Sequence, residues 1–325
     1  MAPLPSLPPQ FDLVKTTLLG ANKTPQLRVF GTYPIKGPYI KANEIYLTGN
    51  AALEFEDTNN PFWIVYADDW YLNGHFEIRR TTTNLPNLDG ANGANAPSAS
   101  PTPAGDGVSG NDGLMGLPGR QGLRGSILPQ VVIIAQRVFV QDGAGGWRRA
   151  NGADIDAVFN LDGVDGGNGG DGGDGSDGTD GNRGSPAVDG GTVLGIGNCA
   201  CGPGQGGRGG NAGLGGWPGY GGDGGDGATL FMFVATDELQ NFGKVVTSLN
   251  GGNAGQIGKY GNPGHPGKGG DEGDYSQTDN CYSAGRFGVD GIVPHNCYAP
   301  EVKIHAGASG KTLLTDYSGF AELGN

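Results

Sequence analysis

Apolar and aromatic residues fall in short runs along this chain, broken by Gly, Asn and Pro. The runs Leu27 to Tyr33, Glu44 to Leu47, Ala52 to Phe55, Phe62 to Tyr66 and His75 to Ile78 are rich in β-branched and aromatic side chains. They predict the strands of a small β unit over residues 27–88. Val131 to Val140, Ala153 to Leu161, Thr229 to Ala235, Lys244 to Leu249, Glu301 to His305 and Thr312 to Thr315 predict further strands. No segment sustains a helical apolar period, so almost no α-helix is expected.

Between the later runs the pattern changes period. Glycine stands at every third position from Gly107 to Gly125, Gly163 to Gly184, Gly204 to Gly225 and Gly252 to Gly273, then at Gly285, Gly288 and Gly291. Three residues per turn without internal hydrogen bonds is the polyproline-II geometry, and glycine at each third position bares one face of such a helix to backbone. Bare faces let neighbouring helices approach until N–H···O contacts form between them. Collagen shares the period, but here proline is sparse within the tracts, strands interrupt them, and many triplets hold a second glycine, as in Gly166-Gly167 and Gly169-Gly170. A second glycine supplies a second bare face. Tracts 163–184 and 204–227, with doubled glycines, are therefore expected at the centre of a single-chain bundle, and 107–125 and 252–273 at its edges.

The expected fold is all-β with polyglycine-II helices: stacked β-rungs in a β-solenoid-like unit, carrying a glycine-rich bundle. Residues 1–26 read as an extended arm, 27–88 as a β unit, and 89–325 as alternating strands and glycine tracts. The N-terminal arm contains Pro3, Pro5, Pro8 and Pro9 and then the apolar Phe11, Leu13, Val14, Leu18 and Leu19. It suits strand donation into a groove on a neighbouring copy.

Composition narrows the partners. The formal net charge of −13 disfavours nucleic acid. No apolar run approaches the ~20 residues needed to span a bilayer. The N-terminus lacks the basic start and apolar stretch of a signal peptide, so an extracellular protein would be an already processed form or be released by another route.

Three sets of residues are candidates for chemistry or contact. Asp165, Asp171, Asp174, Asp177 and Asp180 recur on one face of tract 163–184. Such a ladder could bind calcium or simply form a solvated acidic face. Leu214, Trp217 and Tyr220 line one face of tract 204–227, and Leu114, Leu117 and Leu123 recur in tract 107–125. These suit a protein interface, sugar stacking, or burial on this chain's own β unit. Cys199 and Cys201 are too close to bridge each other, so two disulfides to Cys281 and Cys297 are expected. Enzyme-like strings are weak. The stretch from His305 to Thr312 lacks the first glycine of a phosphate-binding loop, and Asp68-Asp69 suits a strand-end turn better than acid/base chemistry.

The in-register glycines and doubled triplets of Gly166 to Gly175, Gly206 to Gly210 and Gly221 to Gly225 resemble the polyglycine-II bundles of T-even-type phage tail-fibre tip adhesins. The resemblance covers roughly residues 89–291, and residues 1–88 do not match that family's attachment region. It implies a bundle whose loops bind a bacterial surface receptor. The expectation is a non-enzymatic structural or adhesive protein at an extracellular, cell or virion surface, assembling with copies of itself and needing no cofactor. The alternatives are a receptor-binding tip that meets a cell-surface glycan or receptor, and a carbohydrate-active β-solenoid enzyme.

Overall fold

The computed structural model describes residues 11–56, 60–81, 85–126, 128–152, 154–193, 196–275, 281, 286–295 and 302–323. The chain opens with a helix, α1 (Asp12–Gly20), followed by strands β1 (Thr24–Ile35), β2 (Tyr39–Phe55), β3 (Phe62–Asn73) and β4 (Phe76–Arg80). After a glycine-rich excursion come β5 (Gln130–Gln141), β6 (Trp147–Arg149) and β7 (Ala157–Asn160). A second excursion carries the hairpin of β8 (Val188–Val193) and β9 (Ile196–Cys201), and the chain returns in β10 (Leu230–Val234), α2 (Leu239–Phe242) and β11 (Val246–Ser248). A third excursion precedes β12 (Thr312–Asp316) and α3 (Phe320–Leu323).

Apart from β8 and β9, the strands form one ten-stranded sheet, parallel except where β6 runs antiparallel to β5. β2 serves two stacks, pairing through residues 39–48 with β3 and through 51–55 with β4. One stack continues through β5, β10 and β12, the other through β7 and β11. The sheet therefore runs well past residue 88, and the later strands extend the first β unit rather than forming another. Gly31, Gly49 and Gly74 occupy the bend between the stacks in successive passes, with φ of 82°, 70° and 93°. That region favours glycine, and a Cβ on Gly74 would lie 2.7 Å from the Gly49 carbonyl oxygen.

The core lies between the stacks. Ile45, Trp70 and Val138 form one register column, and Leu53, Ile78 and Phe159 another, all with no exposure. Burying each large side chain stabilises the fold by about 1.5–3 kcal/mol. A second apolar cluster covers the outside of the first stack. Phe62, Ile64, Tyr66, Val132, Ile134, Phe231 and Phe233 meet Phe11, Val14 and Leu18 at α1 and Tyr317, Phe320 and Leu323 at α3. Burial on both faces explains why Phe62 to Ala67 and Leu230 to Val234 read as continuous apolar runs rather than alternating ones.

Here two expectations are corrected. The stretch after Phe11 is a helix, not a strand, and it docks on its own chain. The spacing of Phe11, Val14 and Leu18 gives it one apolar face. Residues 302–305 form no strand, and Glu301 lies outside the described residues.

The three excursions run out and back as extended segments: 85–103 with 107–125, 163–184 with 204–227, and 252–273 with 286–295 and 302–310. Their N–H groups bond to neighbouring segments at three-residue steps. Gly166, Gly169, Gly172 and Gly175 donate to the carbonyls of Asn253, Gln256, Lys259 and Asn262, each at 2.8 Å. Outgoing segments form one layer and returning segments the other. Segments 163–184 and 204–227 each bond to four neighbours, and 107–125 and 252–273 to three. The glycines are needed because the backbones touch: a Cβ on Gly167 would lie 1.8 Å from the Leu88 oxygen, and one on Gly210 1.9 Å from that of Asn111. Segment 85–103 contributes only Gly90 and Gly93, because a flanking segment meets neighbours on fewer sides.

Candidate interaction surfaces

The outgoing layer presents the aspartate row. One carboxylate oxygen of Asp165, Asp171, Asp174, Asp177 and Asp180 accepts the backbone N–H of Asn253, Lys259, Asn262, His265 and Lys268 respectively, each at 2.7 Å. On the other side of that row, Asp89, Asn92 and Asn95 accept the N–H groups of Asn168, Asp171 and Asp174 at 2.7–2.9 Å. The side chains do between segments what backbone carbonyls cannot reach. Each carboxylate of the expected cation ladder is engaged through one oxygen by a different residue of the next segment. Among the described residues no group of three or more His, Cys, Asp or Glu is placed to hold a metal ion.

The returning layer presents a different row. Asp223 and Asp226 accept the N–H groups of His305 and Ala308, and Asn211 that of Ile292. Between these caps lie half-buried Leu214 and Tyr220 and exposed Trp217. Asp112 accepts the N–H of Asn211 at 2.7 Å, and Arg124 lies 3.6 Å from Asp226. The triplet positions 112, 115, 118, 121 and 124 thus share the side of Trp217. Leu114, Leu117 and Leu123 are also exposed, on the flank beside segment 85–103.

Of the arm residues expected at a neighbour, Phe11, Val14 and Leu18 are buried in this chain, whereas Leu13 and Leu19 are exposed. Around α1, Lys41 is buried and donates to the Leu18 carbonyl at 2.8 Å, closing the helix C-terminus. Burial lowers its pKa, with Lys23 adding to the effect. Lys23 and the Tyr66 hydroxyl both hold Asp68, at 2.6 Å each, and burial pushes the Tyr66 hydroxyl pKa up. Asp69 is engaged by Arg137 at 2.5 and 2.7 Å. Both carboxylates of that pair are therefore committed to structural contacts.

Cys199 bonds to Cys281, joining the turn of the second excursion to the third. Cys201 is an exposed free thiol, and Cys297 lies outside the described residues. Of the two expected disulfides, the one at Cys199 is formed, with Cys281, whereas Cys201 is not paired as expected.

Two clusters were not legible in the sequence. Register stacks Tyr46, Tyr71 and Phe139 with centroids 4.4 and 4.9 Å apart, while Arg28 and Arg149 lie over the end rings at 4.5 and 5.5 Å. Trp147 meets the ring edges from β6. The ring faces are used by one another, which makes this a structural ladder. Glu238, 1% exposed, accepts the Val138 N–H at 2.9 Å and pairs with Arg149 at 2.6 Å. Burial raises its carboxyl pKa despite those partners. The alternation of β2, β3 and β5 marks the stacked rings as outward-facing, but their stacking required the register.

Comparison with protein families, with characterised proteins and with solved structures gives no match to this chain.

Proposed function

We propose that this is a non-enzymatic structural and adhesive protein, a subunit of an extracellular fibre or of a cell- or virion-surface assembly. In this reading the glycine segments are polyglycine-II helices, and the parallel strands are a β-solenoid that anchors them. The three-residue interval of the inter-segment hydrogen bonds supports the helix assignment, and the two continuing strand stacks support the solenoid.

The observation that carries the reading is the difference between the two faces of the slab. On one face the Asp and Asn side chains are engaged in bonds that hold the segments together. The other leaves Met115, Leu214, Trp217 and Tyr220 at least partly open on a surface fixed by main-chain bonds. A rigid scaffold with one open apolar-aromatic strip suits binding to another macromolecule.

Electron microscopy and sedimentation of the purified full-length protein test it. Filaments or ordered assemblies, or a monomer that binds cell surfaces, would support the reading. A monomer that neither assembles nor binds, but cleaves a polysaccharide, would replace it with the enzymatic alternative.

A further inference from the structure

We infer that segments 107–125 and 204–227 of the returning layer form a self-complementary strip on which two copies of this chain pair antiparallel, with Trp217 on the two-fold axis. This rests on the assembly reading above and names its first contact. Positions 208, 211, 214, 217, 220, 223 and 226 hold Arg, Asn, Leu, Trp, Tyr, Asp and Asp. Trp217 is the middle of that row. Positions 112, 115, 118, 121 and 124 hold Asp, Met, Pro, Gln and Arg, and Pro118 is the middle of that one. The two rows are in register: Gly113, Gly119 and Gly125 donate to the carbonyls of Asn211, Trp217 and Asp223 at 2.8 Å. Both midpoints therefore lie at the same level of the slab.

The charges run oppositely in the two rows. Asp112 to Arg124 goes from negative to positive, and Arg208 to Asp226 from positive to negative. Turning a second copy about an in-plane axis through Trp217 lays each row on its own copy, reversed. Arg208 then faces Asp226 of the other copy, Asp112 faces its Arg124, Leu214 its Tyr220, and Trp217 itself. The antiparallel overlay thus sets unlike charges opposite each other at both ends of the strip. A strip ~55 Å long and, with its side chains, ~15 Å wide covers on the order of 800 Å² per partner, the size of a standard interface. An isologous contact of this kind closes at two copies, so any fibre must grow through a further surface.

The test uses Trp217→Arg and Trp217→Glu in the full chain, singly and mixed, by analytical ultracentrifugation. Thermal melting checks that both fold, as expected for a partly exposed side chain. The wild type should be dimeric. Each variant alone places like charges on the axis and should weaken pairing by about a hundredfold or more. An equimolar mixture should restore the dimer as a heterodimer, which only self-opposition of residue 217 predicts. Dimers unaffected in either variant, or no recovery on mixing, would overturn the axis while leaving the assembly reading in place. A wild type that stays monomeric would overturn the pairing. If that monomer bound cells or glycans through Trp217, the face would belong to that partner instead.

Discussion

At the scale of single residues, glycine and aspartate carry the bundle in different ways. At Gly210 a Cβ would meet a backbone oxygen at 1.9 Å, and backbone bonded on several sides cannot yield. Gly210→Ala should cost about 3 kcal/mol or more, whereas Met115→Ala on the exposed face should fall within about 0.5 kcal/mol. Thermal or denaturant unfolding of the two variants checks this, and equal losses would mean that the segments are not in contact. Aspartate acts through one acceptor oxygen. Asp174→Asn keeps an oxygen for the Asn262 N–H and should be nearly neutral, while Asp174→Ala should cost about 1 kcal/mol. Calcium or a chelator should leave both melting curves unmoved. A calcium-dependent rise lost in Asp174→Asn would support the cation-ladder reading.

His75 adds a pH dependence. Its hydrogen bond to Asp156, chiefly, raises its pKa above the ordinary value. A raised folded pKa gives stabilisation that is complete below about pH 6.5 and lost as pH rises through the folded value. The stability difference between wild type and His75→Gln should therefore be larger at about pH 5.5 than at about pH 8.5. A difference independent of pH would show that the pair contributes nothing in solution.

At the scale of elements, α1 shows how tertiary packing overrides local reading. A nine-residue helix is marginal alone, and here it exists because Phe11, Val14 and Leu18 are taken up by Tyr66, Ile134, Phe231 and Phe233. Leu18→Ala should cost about 2–5 kcal/mol, and Leu19→Ala, on the exposed side, within about 0.5 kcal/mol. Deleting residues 1–20 should expose that apolar cluster and yield a protein that aggregates or binds hydrophobic dyes. A well-behaved truncated protein would mean that α1 is a detachable arm after all.

At the scale of the whole molecule, strands pass into glycine segments without a break in hydrogen bonding. Leu161 donates to Ser248, Gly163 to Asn250 and Ala228 to Leu161, while Arg80 reaches across to the Asp162 carbonyl at 2.7 Å. A sheet and bundle joined in this way should unfold as one cooperative unit. Hydrogen exchange on Gly210→Ala should accordingly rise through the bundle and the strands feeding it, rather than in one segment. Exchange confined to residues 204–213 would mean that the segments are independent loops.

Composition and period set what each stretch could become. Period-three glycine admits close backbone contact and little else, so the tracts and the central place of 163–184 and 204–227 were readable in advance. The strand runs were readable because apolar β-branched residues need a buried sheet. Tertiary structure alone decided where the outward-facing groups went, because each of those choices depends on a neighbour distant in sequence. Segment 85–103 joins the bundle with two glycines because it has neighbours on few sides. The Asp row caps backbone because segment 252–273 arrives in register. Cys199 rather than Cys201 meets Cys281 because two folded-back turns set their distance, and the arm becomes a helix because a sheet face was waiting for it.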